Sequence, residues 1–190
     1  MRVLFVCLGN ICRSPTAEGV LRALLEREGR GLSVRVDSAG TGDWHVGEPP
    51  DHRTRAVARS RGFDLEALRA RQVCAQDFEL FDLILAMDRQ NLAVLEQLRP
   101  DGSRAQLALF LEHALPESEL REVPDPYEGQ TRDFEQVLEL IVTGSRALIE
   151  RWRRSSQGEL EGSRDAAPAE QDGPAVEAMA TIYRSDRSSQ

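Results

Sequence analysis

Residues 3–25 read VLFVCLGNICRSPTAEGVLRALL. Residues 2–7 (RVLFVC) form a near-continuous apolar run with β-branched side chains, the pattern of a strand buried on both faces. From Ser14 the period changes. Ala17, Val20, Leu21, Leu24 and Leu25 fall at helical spacing, with Ser14 suited to the N-cap and Pro15 to the first helical position. A strand, a short loop and a helix in that order make a βα unit, and Cys7 stands where the strand ends and the loop begins.

The same alternation runs down the chain. Residues 32–39 (LSVRVDSA) read as a second strand, followed by the turn-rich loop GTGDWHVGEPP that carries Trp44. Asp51 can cap a helix that runs to about Arg61 and is ended by Gly62. FDLILAM (81–87) is a third buried strand. Asp88 then caps a helix in which Met87 and Leu92 could meet as a hydrophobic staple. AQLALFL (105–111) is a fourth strand. Residues 112–131, with PDPYEG among them, show little periodicity, and a connection that long is usually functional or mobile. A last helix runs from Thr131 to about Arg153 with Phe134, Val137, Leu138, Ile141, Leu148, Ile149 and Trp152 on one face. Strands alternating with helices predict an α/β fold: a four-stranded parallel sheet with helices on both faces and its site at the carboxyl ends of the strands. Residues 1–154 are expected to form the domain. Residues 155–190 are polar and rich in Pro, Gly and Ser, so a disordered extension is expected there, apart from a short helical pattern at 175–183.

Composition removes several function classes. All 24 basic residues are arginine, and the net charge is −8. An acidic chain without a basic run is a poor nucleic-acid binder, and the absence of lysine excludes a Walker-type nucleotide loop. No apolar run approaches the ~20 residues of a membrane span. The first apolar segment is too short for a signal sequence and has no cleavage site, so a cytoplasmic protein is expected. Three cysteines (Cys7, Cys12, Cys74) make no disulfide framework. With three histidines in all and none beside the first cysteine pair, zinc is not expected, and nothing calls for another cofactor.

The loop after the first strand has a chemistry of its own. Between a strand end and a helix start, backbone N–H groups can converge on an anion. Gly9 is expected to turn the loop with positive φ, and Asn10 tolerates a left-handed backbone. Arg13 supplies a planar fork for two phosphate oxygens. The same positive field favours the thiolate of Cys7, and Ser14 could donate a hydrogen bond to that sulfur. A thiolate beneath a bound phosphate can attack phosphorus to form phosphocysteine. The departing oxygen needs a proton. Asp125, between two prolines and without a basic neighbour, is the best-placed donor.

VCLGNICRSPTAEGVL with a distant DPYEG resembles the low-molecular-weight protein tyrosine phosphatase family. The likeness extends through VDSAGTGDWHVGEPPD, ARQV, FDLILAMDRQN and the final helix, covering about residues 1–154. The resemblance implies a metal-independent protein-tyrosine-phosphatase with Cys7 as nucleophile, Arg13 binding phosphate and stabilising the transition state, and Asp125 acting as acid and then base. It implies phosphate binding by Leu8, Gly9, Asn10, Ile11, Cys12 and Ser14, with Trp44 and Tyr127 as walls for the substrate ring. Its partners would be phosphotyrosine-containing proteins, with a tyrosine kinase or an exopolysaccharide system suggested by the family, and the enzyme would be a monomer or weak dimer. Two positions depart from the pattern. Many relatives carry a histidine shortly before ARQ that supports the loop asparagine; Leu68 stands there, so the bonds around Asn10 are expected to be looser or rebuilt. Glu128 stands where some relatives have a second tyrosine, which weakens regulation by phosphorylation at that point.

Other readings stay open at this stage. Cys12 is either a packing residue or a redox partner of Cys7. Cys74 is expected to be structurally buried, His45 to be an ordinary loop histidine, and Asp88 and Asn91 to be cap residues. Tyr183 reads as a solvated tail residue. A protein arginine phosphatase shares fold and loop but carries threonine at the place of Ile11. An arsenate reductase needs two further late cysteines. A phosphocysteine carrier needs no general acid, and a phosphopeptide-binding module needs no nucleophile.

Overall fold

Strand β1 (Arg2–Cys7) lies inside the sheet, and its alternate residues divide the core in two. Val3, Phe5 and Cys7 join one buried cluster; Leu4 and Val6 join the other. Both faces are therefore dry, which is why the segment lacks the polar alternation of a half-exposed strand. In this computed structural model the backbone is described for residues 1–164 and side chains for residues 1–156, and Met1–Ser156 form one compact unit.

The element order is β1, α1 (Arg13–Glu28), β2 (Arg35–Gly40), α2 (His52–Ser60), α3 (Asp77–Leu80), β3 (Leu83–Ala86), α4 (Arg89–Leu98), β4 (Gln106–Leu109), α5 (Phe110–Ala114) and α6 (Thr131–Arg164). The sheet order is β2-β1-β3-β4, parallel at every pairing, with Cys7 opposite Gly40 and Val6 opposite Ala86. One face is covered by α1, α2, α5 and α6 through residues such as Leu21, Val57, Phe110 and Ile141. The other is covered by α3 and α4 through Phe78 and Leu95. This is the expected architecture. None of the described helices is long and apolar enough to cross a membrane.

Several boundaries differ from the sequence reading. The third and fourth strands are shorter than expected. After Leu109 the chain coils into α5, which turns both Phe110 and Leu111 into the first cluster, where a continued strand would have sent one of them away. Met87 belongs to the first cluster while Leu92 packs against the second, so the two do not share the expected staple. Helix α6 continues to Arg164, through residues whose composition suggested an irregular tail. Residues 165–190, including the 175–183 pattern and Tyr183, lie outside the described residues.

Strand β2 is an edge, and side chains close it. The Val36 carbonyl accepts from Nε and Nη2 of Arg22 at 3.2 and 2.8 Å. The Ser38 N–H bonds the Asp37 carboxylate at 2.8 Å. Gly40 donates to Arg71 and accepts from Val73, both at 2.8 Å. The last pair anchors the 70–73 segment beside the carboxyl end of β1, where the candidate site lies.

Candidate active site

Residues 8–12 link β1 to α1, and the carbonyls of Leu8, Ile11 and Cys12, like that of Cys7 before them, are taken up by neighbouring donors. Cys7 O accepts from Thr41 N, Leu8 O from Gly42 N, and Ile11 O from Asp51 N, at 2.8–2.9 Å. Cys12 O accepts from the Thr16 N–H and hydroxyl. The N–H groups of residues 8–12 donate to no protein acceptor among the described residues. Together with the free N–H groups at the start of α1, they make a concave set of donors, the requirement for an anion cradle.

Two glycines shape the loop, and Gly9 does so differently from expectation. Positive φ falls on Asn10 (55°) and not on Gly9. Gly9 is needed for space, because a Cβ there would stand 3.0 Å from Cδ2 of His45. Gly40 is needed more strictly: its Cβ would meet Leu8 O at 2.8 Å and Asn10 N at 3.1 Å, both backbone atoms of the loop. Ser14 is also not the N-cap. Helix α1 begins at Arg13 after Cys12, which makes no side-chain cap bond, and the Ser14 hydroxyl lies 3.0 Å from Cys7 Sγ.

Asn10 is held by three side-chain bonds. Its Nδ2 donates to the Ser14 and Ser38 hydroxyls, each at 2.9 Å, and its Oδ1 accepts from Arg71 N at 2.9 Å. These bonds pin a left-handed backbone that only glycine adopts freely. The network closes without a histidine: Leu68 packs against the first core cluster, and the Arg71 N–H serves Asn10.

Arg13 is 2 % exposed and lies between two carboxylates. Its Nη1 donates to Asp88 Oδ2 at 2.5 Å and to Val123 O at 3.2 Å; its Nη2 donates to Asp125 Oδ2 at 2.6 Å. Burial works against its charge, but Cys7, Asp125 and Asp88 outweigh burial and hold its pKa above the ordinary value. Nε is buried and has no hydrogen-bond partner. Cap duty alone therefore understates Asp88. It does cap α4, accepting from Asn91 N at 2.7 Å, and its other oxygen orients Arg13. Nothing local to Asp88 in the sequence announces that second role.

A pocket of about 330 Å³ opens over this loop, lined by Cys7, Leu8, Gly9, Ile11, Cys12, Arg13, Trp44, His45, Asp125 and Tyr127. The structure thus gathers the expected nucleophile, arginine, acid and two aromatic walls around one cavity. Trp44 and Tyr127 are exposed at its rim. His45 is more than a loop residue: its ring covers Gly9, and Glu48 holds Nδ1 at 2.6 Å. Arg53 braces the far wall. It pairs with Asp51 and lies 5.6 Å from the Tyr127 ring centroid and 4.5 Å from that of Phe134. Cys7 and Cys12 are buried free thiols; burial pushes the Cys12 thiol up to about 12. Cys74 is exposed, contrary to expectation, because its N–H serves Asp77 Oδ2 at the start of α3 and the side chain faces out. Among the described residues no cluster of His, Cys, Asp or Glu is placed to hold a metal ion.

A model of the family described as low molecular weight phosphotyrosine protein phosphatase matches residues 2–158. The chain belongs to that family. It is 41 % identical over 155 residues to the low molecular weight protein-tyrosine-phosphatase YfkJ of Bacillus subtilis, covering 82 % of this chain and 97 % of that one. It is 47 % identical over 137 residues to the low molecular weight phosphotyrosine protein phosphatase of Schizosaccharomyces pombe, covering 70 % and 85 %. The crystal structure of YfkJ superposes with a TM-score of 0.74 at 40 % identity, covering 82 % of this phosphatase and 96 % of that chain. A protein tyrosine phosphatase from Entamoeba histolytica, crystallised with Hepes in its active site, superposes with a TM-score of 0.75 at 35 % identity, covering 82 % and 99 %. Membership removes the carrier and the binding module as readings of this chain.

Proposed function

We propose that this phosphatase hydrolyses phosphotyrosine in proteins through a phosphocysteine formed on Cys7. The phosphoryl group sits on the N–H groups of residues 8–12 and on Arg13, whose buried Nε is the unclaimed donor. Nη2 currently serves Asp125, so an arriving dianion competes for the guanidinium and frees the carboxyl for proton transfer. The Cys7 thiolate attacks phosphorus while the bond from phosphorus to the phenolic oxygen breaks. Asp125, which takes up a proton from solvent once it is freed from Arg13, gives that proton to the phenolic oxygen. The resulting Asp125 carboxylate then takes a proton from water, whose oxygen attacks phosphorus. The P–S bond breaks, its electron pair returns to sulfur, and phosphate leaves. Ser14, 3.0 Å from the sulfur, stabilises the returning thiolate.

The observation that carries this reading is the convergence of Cys7, Arg13 and Asp125 on one pocket, over a loop whose N–H groups have no protein acceptor among the described residues. Ile11 in the lining and Trp44 and Tyr127 at the rim favour an aryl group over a guanidinium. Turnover of para-nitrophenyl phosphate is expected to vanish in Cys7→Ser and to fall at least a hundredfold in Asp125→Ala, on the usual scale for a general acid. Phosphocysteine should still form weakly in Asp125→Ala. Full activity in Cys7→Ser removes the mechanism, and faster hydrolysis of phosphoarginine than phosphotyrosine peptides removes the substrate class. The reading extends to a cytoplasmic monomer or weak dimer with an autophosphorylated tyrosine kinase among its substrates. Loss of phosphotyrosine signal from such a kinase on incubation with the enzyme, and not with Cys7→Ser, is the test of that partner.

A further inference from the structure

We infer that Glu18 is a positioning residue for the nucleophile: its carboxylate is the final acceptor of a hydrogen-bond chain that locks Asn10 and turns Ser14 toward Cys7. Glu18 lies on α1, one turn beyond the nucleophile loop, with a side chain 4 % exposed. Its Oε2 accepts from the Ser38 hydroxyl at 2.5 Å, and its Oε1 meets Arg22 Nη2 at 2.7 Å. A buried carboxylate is costly unless it is paired and hydrogen-bonded, so a specific use is expected of it.

Counting protons shows the use. The Arg71 N–H can only donate, so Asn10 must present Oδ1 to it. Nδ2 then faces the Ser14 and Ser38 hydroxyls, and both must accept. Each hydroxyl is left with one proton to place. Ser38 places its proton on Glu18. Ser14 can place its proton on Cys7 Sγ at 3.0 Å or on Ala39 O at 3.2 Å; against a thiolate the charge-assisted bond is the stronger. Without an acceptor at Glu18, the Ser38 proton is stranded in a buried site and turns against Asn10 Nδ2. The left-handed residue then loses one of its three anchors, and the hydroxyl facing the sulfur loses its alignment. In a network of this kind orientation is shared along the chain.

The charged groups facing Glu18 are Arg22 from its own helix, Asp37 from β2 and Arg71 from the 70–73 segment. Burial dominates and raises its pKa above the ordinary carboxylate range, while Ser38, Arg22 and Arg71 pull it back and Asp37 adds to the rise. Protonation converts the acceptor into a donor, so falling pH has the same effect on the chain as removing the carboxylate.

The inference rests on the phosphatase reading, but its test needs no turnover. The pH midpoint of Cys7 alkylation by iodoacetamide is measured in Cys74→Ser protein, alone and with Glu18→Ala, Glu18→Gln or Ser38→Ala. Glu18→Ala and Ser38→Ala are expected to move the midpoint up by about one unit, which is about tenfold slower alkylation below both midpoints. Glu18→Gln should move it in the same direction by less, since its amide oxygen can still accept. A merely structural role changes thermal stability and leaves the midpoint of the folded protein where it was. If Glu18→Ala fails to fold, the other two variants decide. An unmoved midpoint in both Glu18→Gln and Ser38→Ala overturns the inference. A moved midpoint in an enzyme inactive toward phosphotyrosine would instead overturn the proposed function and leave the positioning role standing.

Discussion

Asp88 performs two separable tasks, and substitution can divide them. Its Oδ1 caps α4 at Asn91 N, and its Oδ2 holds Nη1 of a guanidinium that is 2 % exposed. Removing one partner of a buried pair costs about 3–5 kcal/mol, because the other charge stays buried. The Asp88 side chain is 19 % exposed, and Arg13 keeps Asp125 and Val123 O, so the lower end applies. Losing an Asp cap to alanine adds about 1 kcal/mol. Asp88→Ala is therefore expected to lose about 4 kcal/mol by urea unfolding. Asp88→Asn, which retains a cap acceptor, should lose about 2–3 kcal/mol. The activity readout is competitive inhibition by inorganic phosphate. With Nη1 held only by Val123 O, Arg13 is less firmly oriented, and inhibition should weaken about tenfold in both variants, a loss of about 1.4 kcal/mol. If both variants unfold within about 0.5 kcal/mol of wild type and bind phosphate equally well, the account of Arg13 as a residue positioned by Asp88 is wrong.

Gly40→Ala places a methyl against Leu8 O and Asn10 N, so phosphatase activity should fall at least tenfold while far-ultraviolet circular dichroism stays unchanged; undiminished turnover contradicts the close approach. Gly144→Ala should destabilise despite alanine's better helix propensity, since its Cβ would meet buried Phe110 Cζ at 2.6 Å. Overpacking of about 1–3 kcal/mol opposes a helical gain of about 1, and a raised melting temperature would refute it. Burial lifts the Cys12 thiol from 9.0 to about 12, so the native state keeps a proton that the unfolded chain releases. The resulting stability is complete below about pH 9 and is lost as pH rises through about 12. Cys12→Ala should therefore show a shallower decline of stability over that window in urea titrations. At pH 7, iodoacetamide mass spectrometry should find Cys7 and exposed Cys74 labelled and Cys12 not; rapid labelling of Cys12 in folded protein counts against its burial.

The centre of the sheet was legible because β1 and β3 are buried on both faces, and continuous apolar runs such as RVLFVC have few other uses in a chain this size. Helix starts at Asp51 and Asp88 were legible because their side chains cap locally. Pairings across long sequence separations were not. Asp88 is 75 residues from Arg13, and Ser38 is 28 from Asn10. No periodicity encodes such contacts; they follow from parallel register, which brings the ends of β1, β2 and β3 together. Ser14 misled for a related reason. As a local pattern it reads as an N-cap, but a nearby thiol offers its hydroxyl a partner outside the helix. The positive φ falls on Asn10, where the sequence already allowed it, and not on Gly9, because three side-chain bonds from three separate segments hold the asparagine in the left-handed region.

The positive character of the site does not come from its ionised side chains. With Cys7 as thiolate, Arg13 contributes one positive charge against Asp88, Asp125 and the sulfur. A dianion enters that arrangement only if another source of positive potential is present. The N–H groups of residues 8–12 and the first turn of the 16-residue helix α1 are that source. Peptide dipoles are fixed by backbone conformation, so the binding strength of the loop depends on whatever holds its carbonyls outward: Thr41, Gly42 and Asp51 from outside, and Asn10 from within. This places the sensitive positions of the phosphatase in the supports around the loop, with Asn10, a neutral amide in an unusual conformation, among them.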